Sequence, residues 1–156
     1  MQIYKYEDYT RDILKIKERI DLLIQRGHTP HLIALFRGSL PMATHLSNMV
    51  PCEMSIINFQ KYDAPGGVVK DPRWILNLTS KYDTLIVLDD IFDTGTTIEK
   101  VKSFLREHHS GSYIEYHVLV GSEKAEEAGV FRYTEHDGDW VVFPWEMDAD
   151  MLNKEQ

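Results

Sequence analysis

The stretch Leu85-Ile86-Val87-Leu88-Asp89-Asp90-Ile91-Phe92-Asp93-Thr94-Gly95-Thr96-Thr97-Ile98 runs four apolar residues into two adjacent carboxylates, then a third, then a Thr-Gly-Thr-Thr turn. The apolar run reads as a buried strand and the turn as the opening of a helix. Backbone N–H groups of Thr94 to Thr97 at such a helix start can face an anion, with threonine hydroxyls as further donors. Gly95 lets the chain turn without a side chain in the way. An ordinary capped helix, with Asp93 or Thr94 as N-cap, explains one aspartate and one threonine but not three aspartates in five residues beside an apolar strand. Those carboxylates would repel a bare phosphate. They make sense if the ligand also carries hydroxyls and a divalent cation: Asp89 and Asp90 accept from vicinal hydroxyls, and Asp93 reaches toward the sugar's reactive carbon. A phosphorylated ribose meets all three conditions.

In this pattern the segment resembles the phosphoribosyl-pyrophosphate signature of the type I phosphoribosyltransferases: apolar strand, two acids, two apolar residues, then Asp-Thr-Gly-x-Thr, with every position filled. The resemblance implies that Asp89, Asp90, Asp93, Thr94, Gly95, Thr96 and Thr97 hold the ribose and its 5′-phosphate, and that Asp93 is the catalytic acid/base. It implies Mg²⁺ as cofactor, with Asp89, Asp90 and Glu146 on the metal side.

The rest of the chain sets bounds. With 156 residues, 43% hydrophobic and 27% charged, it is expected to form one domain, 1–156, with a real core. No apolar run is long enough to cross a bilayer, and the first residues lack a signal-peptide pattern, so no membrane partner and a cytoplasmic location are expected. A net charge of −8 without a basic stripe argues against nucleic acid. Cys52 stands alone and reads as a buried structural thiol.

Apolar positions Ile13, Ile16, Ile20, Leu23 and Ile24 predict a helix from about Glu7 to Arg26, ended by Gly27. A strand, His31 to Phe36, then runs into Arg37-Gly38-Ser39 and a helix through Met42, Leu46 and Met49, a second candidate anion loop. In purine relatives the matching loop, usually Arg-Gly-Gly, binds pyrophosphate; here Arg37 and Gly38 match, and Ser39 adds a donor. The peptide before that loop is cis in many relatives, which here would be Phe36–Arg37; the sequence leaves this open. A further strand, roughly Glu53 to Phe59, precedes a Gly- and Pro-rich segment of about 60–73. The resemblance makes it a flap with Lys61 and Tyr62 as contacts; a plain connector fits the residues as well. Arg73 to Leu78 is expected as a short strand and Tyr113 to Val120 as another, while His108 and His109 read as a solvated helix end.

Relatives that use 6-oxopurines place a lysine just after that last strand, and Lys124 is the only one near enough, though a residue or two late. The hood segment, about 121–150, ends in Asp139-Trp140-Val141-Val142-Phe143-Pro144-Trp145-Glu146. It resembles the purine-stacking segment of xanthine-guanine phosphoribosyltransferases, which would put Trp140 on the base, Val141 at its edge and Glu146 near the pyrophosphate. A core hairpin burying both tryptophans is the alternative. Alternating strands and helices give an α/β fold, a mainly parallel central sheet flanked by helices, with a small C-terminal hood. The activity implied is transfer of phosphoribosyl from phosphoribosyl pyrophosphate to guanine, hypoxanthine or xanthine, by a dimer or tetramer. Transfer to another base, or a non-catalytic regulator of the same fold, stays open.

Overall fold

The computed structural model describes residues 1–58, 73–76, 81–109 and 111–154. In order these form β1 (Gln2–Ile3), α1 (Tyr6–Gln25), β2 (Pro30–Phe36), α2 (Leu40–Met49), β3 (Met54–Asn58), β4 (Arg73–Leu76) and β5 (Thr84–Phe92). There follow α3 (Thr96–His108), β6 (Tyr113–Gly121), α4 (Glu123–Glu127), β7 (Val130–Glu135), β8 (Val141–Val142), a 3₁₀ turn (Pro144–Glu146) and α5 (Ala149–Lys154). A six-stranded sheet runs β4-β3-β2-β5-β6-β7, parallel except for β4, which is antiparallel to β3. The α/β expectation holds. The Lys61 and Tyr62 flap lies outside the described residues.

Two cores sandwich the sheet. Ile13, Ile16, Ile20 and Leu23 of α1 meet Met42 and Leu46 of α2 over one face, together with Leu32, Ile86 and Leu119. Ile98, Val101 and Leu105 of α3 close the other face over Ile33, Val87 and Val118. β2 and β5 are buried on both faces, which is why each reads as an unbroken apolar run. Each fully buried Ile or Leu contributes about 1.5–3 kcal/mol. Gly27 ends α1 with φ 88°, the left-handed conformation glycine adopts freely. Cys52 is buried, and burial pushes its thiol up to about 11.

Most buried polar side chains are paired, Ser122 Oγ and Trp145 Nε1 being without a partner among the described residues. Glu115 of β6, 2% exposed, accepts from Arg19 Nε (3.1 Å), Tyr113 Oη (3.0 Å) and His117 Nε2 (3.0 Å), and Tyr133 Oη meets His117 Nδ1 at 2.7 Å. Burial pushes Glu115 up, but these donors outweigh it and hold the carboxyl at about 2. Burial also favours the neutral His117 ring, which then donates from Nε2 and accepts at Nδ1. Asp12, fully buried in α1, accepts from Tyr4 Oη (2.9 Å), Arg11 Nε (2.9 Å) and Thr134 Oγ1, tying α1 to β7. At the far end of the molecule, His109 departs from the solvated helix end expected of it. Its Nδ1 bonds the Tyr82 hydroxyl and its ring packs edge-on against Trp74, because α3 ends against the start of β5 and the edge strand.

β1 and β8 form a separate parallel pair, Gln2 opposite Val141 and Ile3 opposite Val142. Behind it, Tyr4, Phe143, Trp145 and Tyr9 form a chain of ring contacts, and Tyr9 Oη meets His45 Nδ1 at 2.7 Å. The hood is thereby seated on α1 and α2.

Candidate active site

β2 and β5 are neighbours whose following helices lie on opposite faces of the sheet, so their carboxyl ends flank the topological switch point, where open α/β sheets bind ligands. A cavity of about 760 Å³ opens there. Its floor is Arg37 and Gly38 after β2, with Asp89 to Ile98 along the end of β5 and the start of α3; its far wall is His136 and Gly138 to Val141, with Phe143 and Glu146.

The candidate anion loop after β5 turns at its glycine. Gly95 sits before α3 with φ 85°, and an added Cβ would lie 2.8 Å from the Phe92 ring, so glycine is required twice over. Thr94 and Thr96 hydroxyls lie 3.1 Å apart, and no side chain caps the first turn of α3. Its N–H groups are thus open to an anion. Asp93 is exposed at the cavity rim.

Asp89 and Asp90 belong to β5 itself, at its carboxyl end. Asp89 is buried, and Asp90 N–H donates to Asp89 Oδ1 at 2.9 Å. Burial and the neighbouring Asp90 push Asp89 well above the usual carboxylate range; burial pushes Asp90 up too, with Glu146 adding to it. Five carboxylates (Asp89, Asp90, Asp93, Asp139, Glu146) line the cavity against one cation among the described residues, Arg37. Such a site gains from hydroxyl donors or a hard cation. The oxygen-only donor set fits Mg²⁺ held jointly with a ligand's phosphates; among the described residues no three acids, histidines or cysteines are grouped to hold a metal alone.

The loop after β2 begins with a cis Phe36–Arg37 peptide. Arg37 and Gly38 line the cavity. Ser39 is fully buried, and its hydroxyl donates to Leu35 O at 2.6 Å, so the extra donor expected from it anchors the loop inward. Gly38 is where the two loops touch: an added Cβ would lie 2.3 Å from Asp90 Oδ2.

On the far wall Trp140 is 78% exposed while Trp145 is packed against Phe143 and Tyr9, so the two tryptophans part company and a hairpin burying both is excluded. Gln2 and Tyr4 N–H groups donate to the carbonyls of Trp140 and Val142. Alternation along β8 then turns the Val141 carbonyl away from β1. Glu146 Oε2 accepts from Phe143 N–H at 3.1 Å and its residue borders the cavity. Lys124 is exposed in α4 and is not among the described residues lining the cavity. His136, which sequence reasoning passed over, is. A single histidine in a polar loop offers no spacing signal that could have marked it.

The chain matches the phosphoribosyl transferase domain family over residues 2–151. Among solved structures it is similar to the xanthine-guanine-hypoxanthine phosphoribosyltransferase of Helicobacter pylori, at 23% identity and a TM-score of 0.76, covering 99% of this chain and 97% of that one. A purine phosphoribosyltransferase from Pyrococcus horikoshii gives 23% identity and a TM-score of 0.71, covering 94% of each chain. A hypothetical protein from Neisseria gonorrhoeae with bound ppGpp gives 20% and 0.64, covering 98% of this chain and 94% of that one. No curated protein sequence matches. These structural likenesses establish the fold.

Proposed function

The chain belongs to the phosphoribosyl transferase domain family, and from that premise we propose that it transfers phosphoribosyl from phosphoribosyl pyrophosphate to N9 of a 6-oxopurine, releasing pyrophosphate. The observation that carries this reading is one cavity bordered by two helix-start loops, a pair of acids at a strand end, and an exposed tryptophan. Two phosphate groups, a sugar and a flat base need those four elements together.

In this reading Thr94 to Thr97 hold the 5′-phosphate, Asp89 and Asp90 accept from the ribose hydroxyls, and Arg37 with the Gly38 amide neutralises the departing pyrophosphate. Mg²⁺, when bound beside Asp89, Asp90 and Glu146, supplies charge neutralisation for the leaving group. As the C1–oxygen bond breaks, cationic charge grows on the ribose while the base attacks; Asp93 takes up the base's proton. Trp140 stacks on the base and holds it in line. The family's usual acceptors and its cytoplasmic setting complete the proposal, with a dimer or tetramer as the assembly.

A second reading is a non-catalytic binder of phosphorylated nucleotides; the likeness to a protein crystallised with ppGpp favours keeping it. A pyrophosphate-release assay with Mg²⁺, phosphoribosyl pyrophosphate and separate guanine, hypoxanthine, xanthine, adenine, uracil and orotate separates the two. Release with a 6-oxopurine, strongly reduced in Asp93→Asn, is expected. Tight phosphoribosyl pyrophosphate binding with no release from any base would promote the binder.

A further inference from the structure

The base wall contains one side chain whose function nothing above supplies. His136 borders the cavity, half-buried, in the turn between β7 and β8. Its own N–H donates to Gly121 O at 3.0 Å, which holds the residue over the carboxyl end of β6. Gly138 N–H donates to its Nδ1 at 2.7 Å, with Gly138 at φ 95° completing the turn. A ring that accepts at Nδ1 carries its proton on Nε2 when neutral. Nε2 has no partner among the described residues.

The neighbours cannot play the same part. Asp139 accepts from the terminal ammonium of Met1 at 2.9 Å and has no proton to give. Trp140 offers a ring face, which holds any flat base alike. Lys124 stands off in α4. Stacking without a directional donor does not distinguish an oxo from an amino group on the base edge, whereas a positioned N–H does.

We infer that His136 is the specificity residue of the base site, its Nε2–H donating to the exocyclic oxygen of a 6-oxopurine. The inference rests on the phosphoribosyltransferase reading. It makes a hydrogen-bond acceptor at that position the feature selected, and a 6-amino group, which presents protons there, the feature rejected.

The test uses two isosteric variants of the full chain. His136→Asn keeps an acceptor where Nδ1 stands, so the Gly138 turn survives, but lacks Nε2. His136→Gln places an amide N–H where Nε2 stands. Calorimetry measures binding of inosine 5′-monophosphate and of purine riboside 5′-monophosphate, which lacks the oxygen, by the wild type and each variant. The wild type is expected to prefer the oxo nucleotide. His136→Asn should lower that preference roughly 5- to 150-fold, the loss of one hydrogen bond to a desolvated acceptor, while purine riboside 5′-monophosphate binds as before. His136→Gln should recover much of it.

A preference unchanged in His136→Asn, or equal weakening of both nucleotides, would overturn the inference, as would a preference lost in Lys124→Ala but kept in His136→Asn. A wild type that binds phosphoribosyl pyrophosphate but neither nucleotide, nor any base in its presence, would instead overturn the reading beneath it.

Discussion

Gly38→Ala tests whether the two loops of the site are set against each other. An alanine Cβ would stand 2.3 Å from Asp90 Oδ2 and 2.8 Å from its Cγ, whereas carbon and oxygen in contact need about 3.2 Å or more. About 0.9 Å must be found. The loop cannot readily supply it, because Ser39 is buried and its hydroxyl is tied to Leu35 O at 2.6 Å. The Asp90 carboxylate must therefore rotate off its rotamer, at about 0.5–1.5 kcal/mol. Stability should fall by about that amount. Activity should fall far more, because displacing a substrate-positioning group by about 1 Å costs about 10²-fold in rate. The assays are urea unfolding for stability and pyrophosphate release for kcat/KM, each also run on Asp90→Ala and on the double variant. With Asp90 truncated the clash disappears, so Gly38→Ala should then be nearly silent, within about 0.5 kcal/mol. Full activity in Gly38→Ala, or an equal loss in both backgrounds, would refute the steric argument.

Three further outcomes are expected. Glu115→Gln removes a carboxylate held at about 2 against an ordinary 4.5, so it should cost about 3 kcal/mol at neutral pH. That stabilisation is fully present above about pH 4.5 and is lost as pH falls toward 2; urea unfolding across this window should slope in the wild type and be flatter in the variant. Trp140→Ala should leave Tm unchanged, since the ring is 78% exposed, but lower kcat/KM for the base by roughly 5- to 150-fold, the value of about 1–3 kcal/mol of stacking. Asp12→Ala should destabilise by about 1–3 kcal/mol in urea unfolding, because the Tyr4 and Thr134 hydroxyls lose their acceptor.

The strand-and-loop units were legible because their signals are local. Four apolar residues before Asp89, and Arg37-Gly38 after Phe36, announce both a strand end and the polar loop that lines the cavity there. The base wall was less legible, because its residues take their meaning from partners far along the chain. Trp140 and Trp145 look alike in sequence, yet only Trp145 finds Tyr9 and Phe143. Ser39 looked like a ligand donor, but a hydroxyl four residues after a carbonyl at a helix start can turn back on it. Lys124 is marked only by its distance along the chain from β6, which says nothing of where a five-residue helix, α4, will carry it. Asp12 sits on the apolar stripe of α1, and its donors include Tyr4 ahead of the helix and Thr134 of the distant β7.

The β1–β8 ladder joins opposite ends of the sequence. β2 and β5, which carry the two candidate anion loops, pair Pro30 with Thr84, whereas the ladder pairs Gln2 with Val141 and so closes the longer loop at the larger entropy cost. In the finished protein the ladder is only two residues long on each strand, and it is held by the burial of Tyr4, Val141, Val142 and Phe143. On the proposed function, a molecule opened there would keep its grip on the phosphorylated sugar while losing the wall against which a base is chosen.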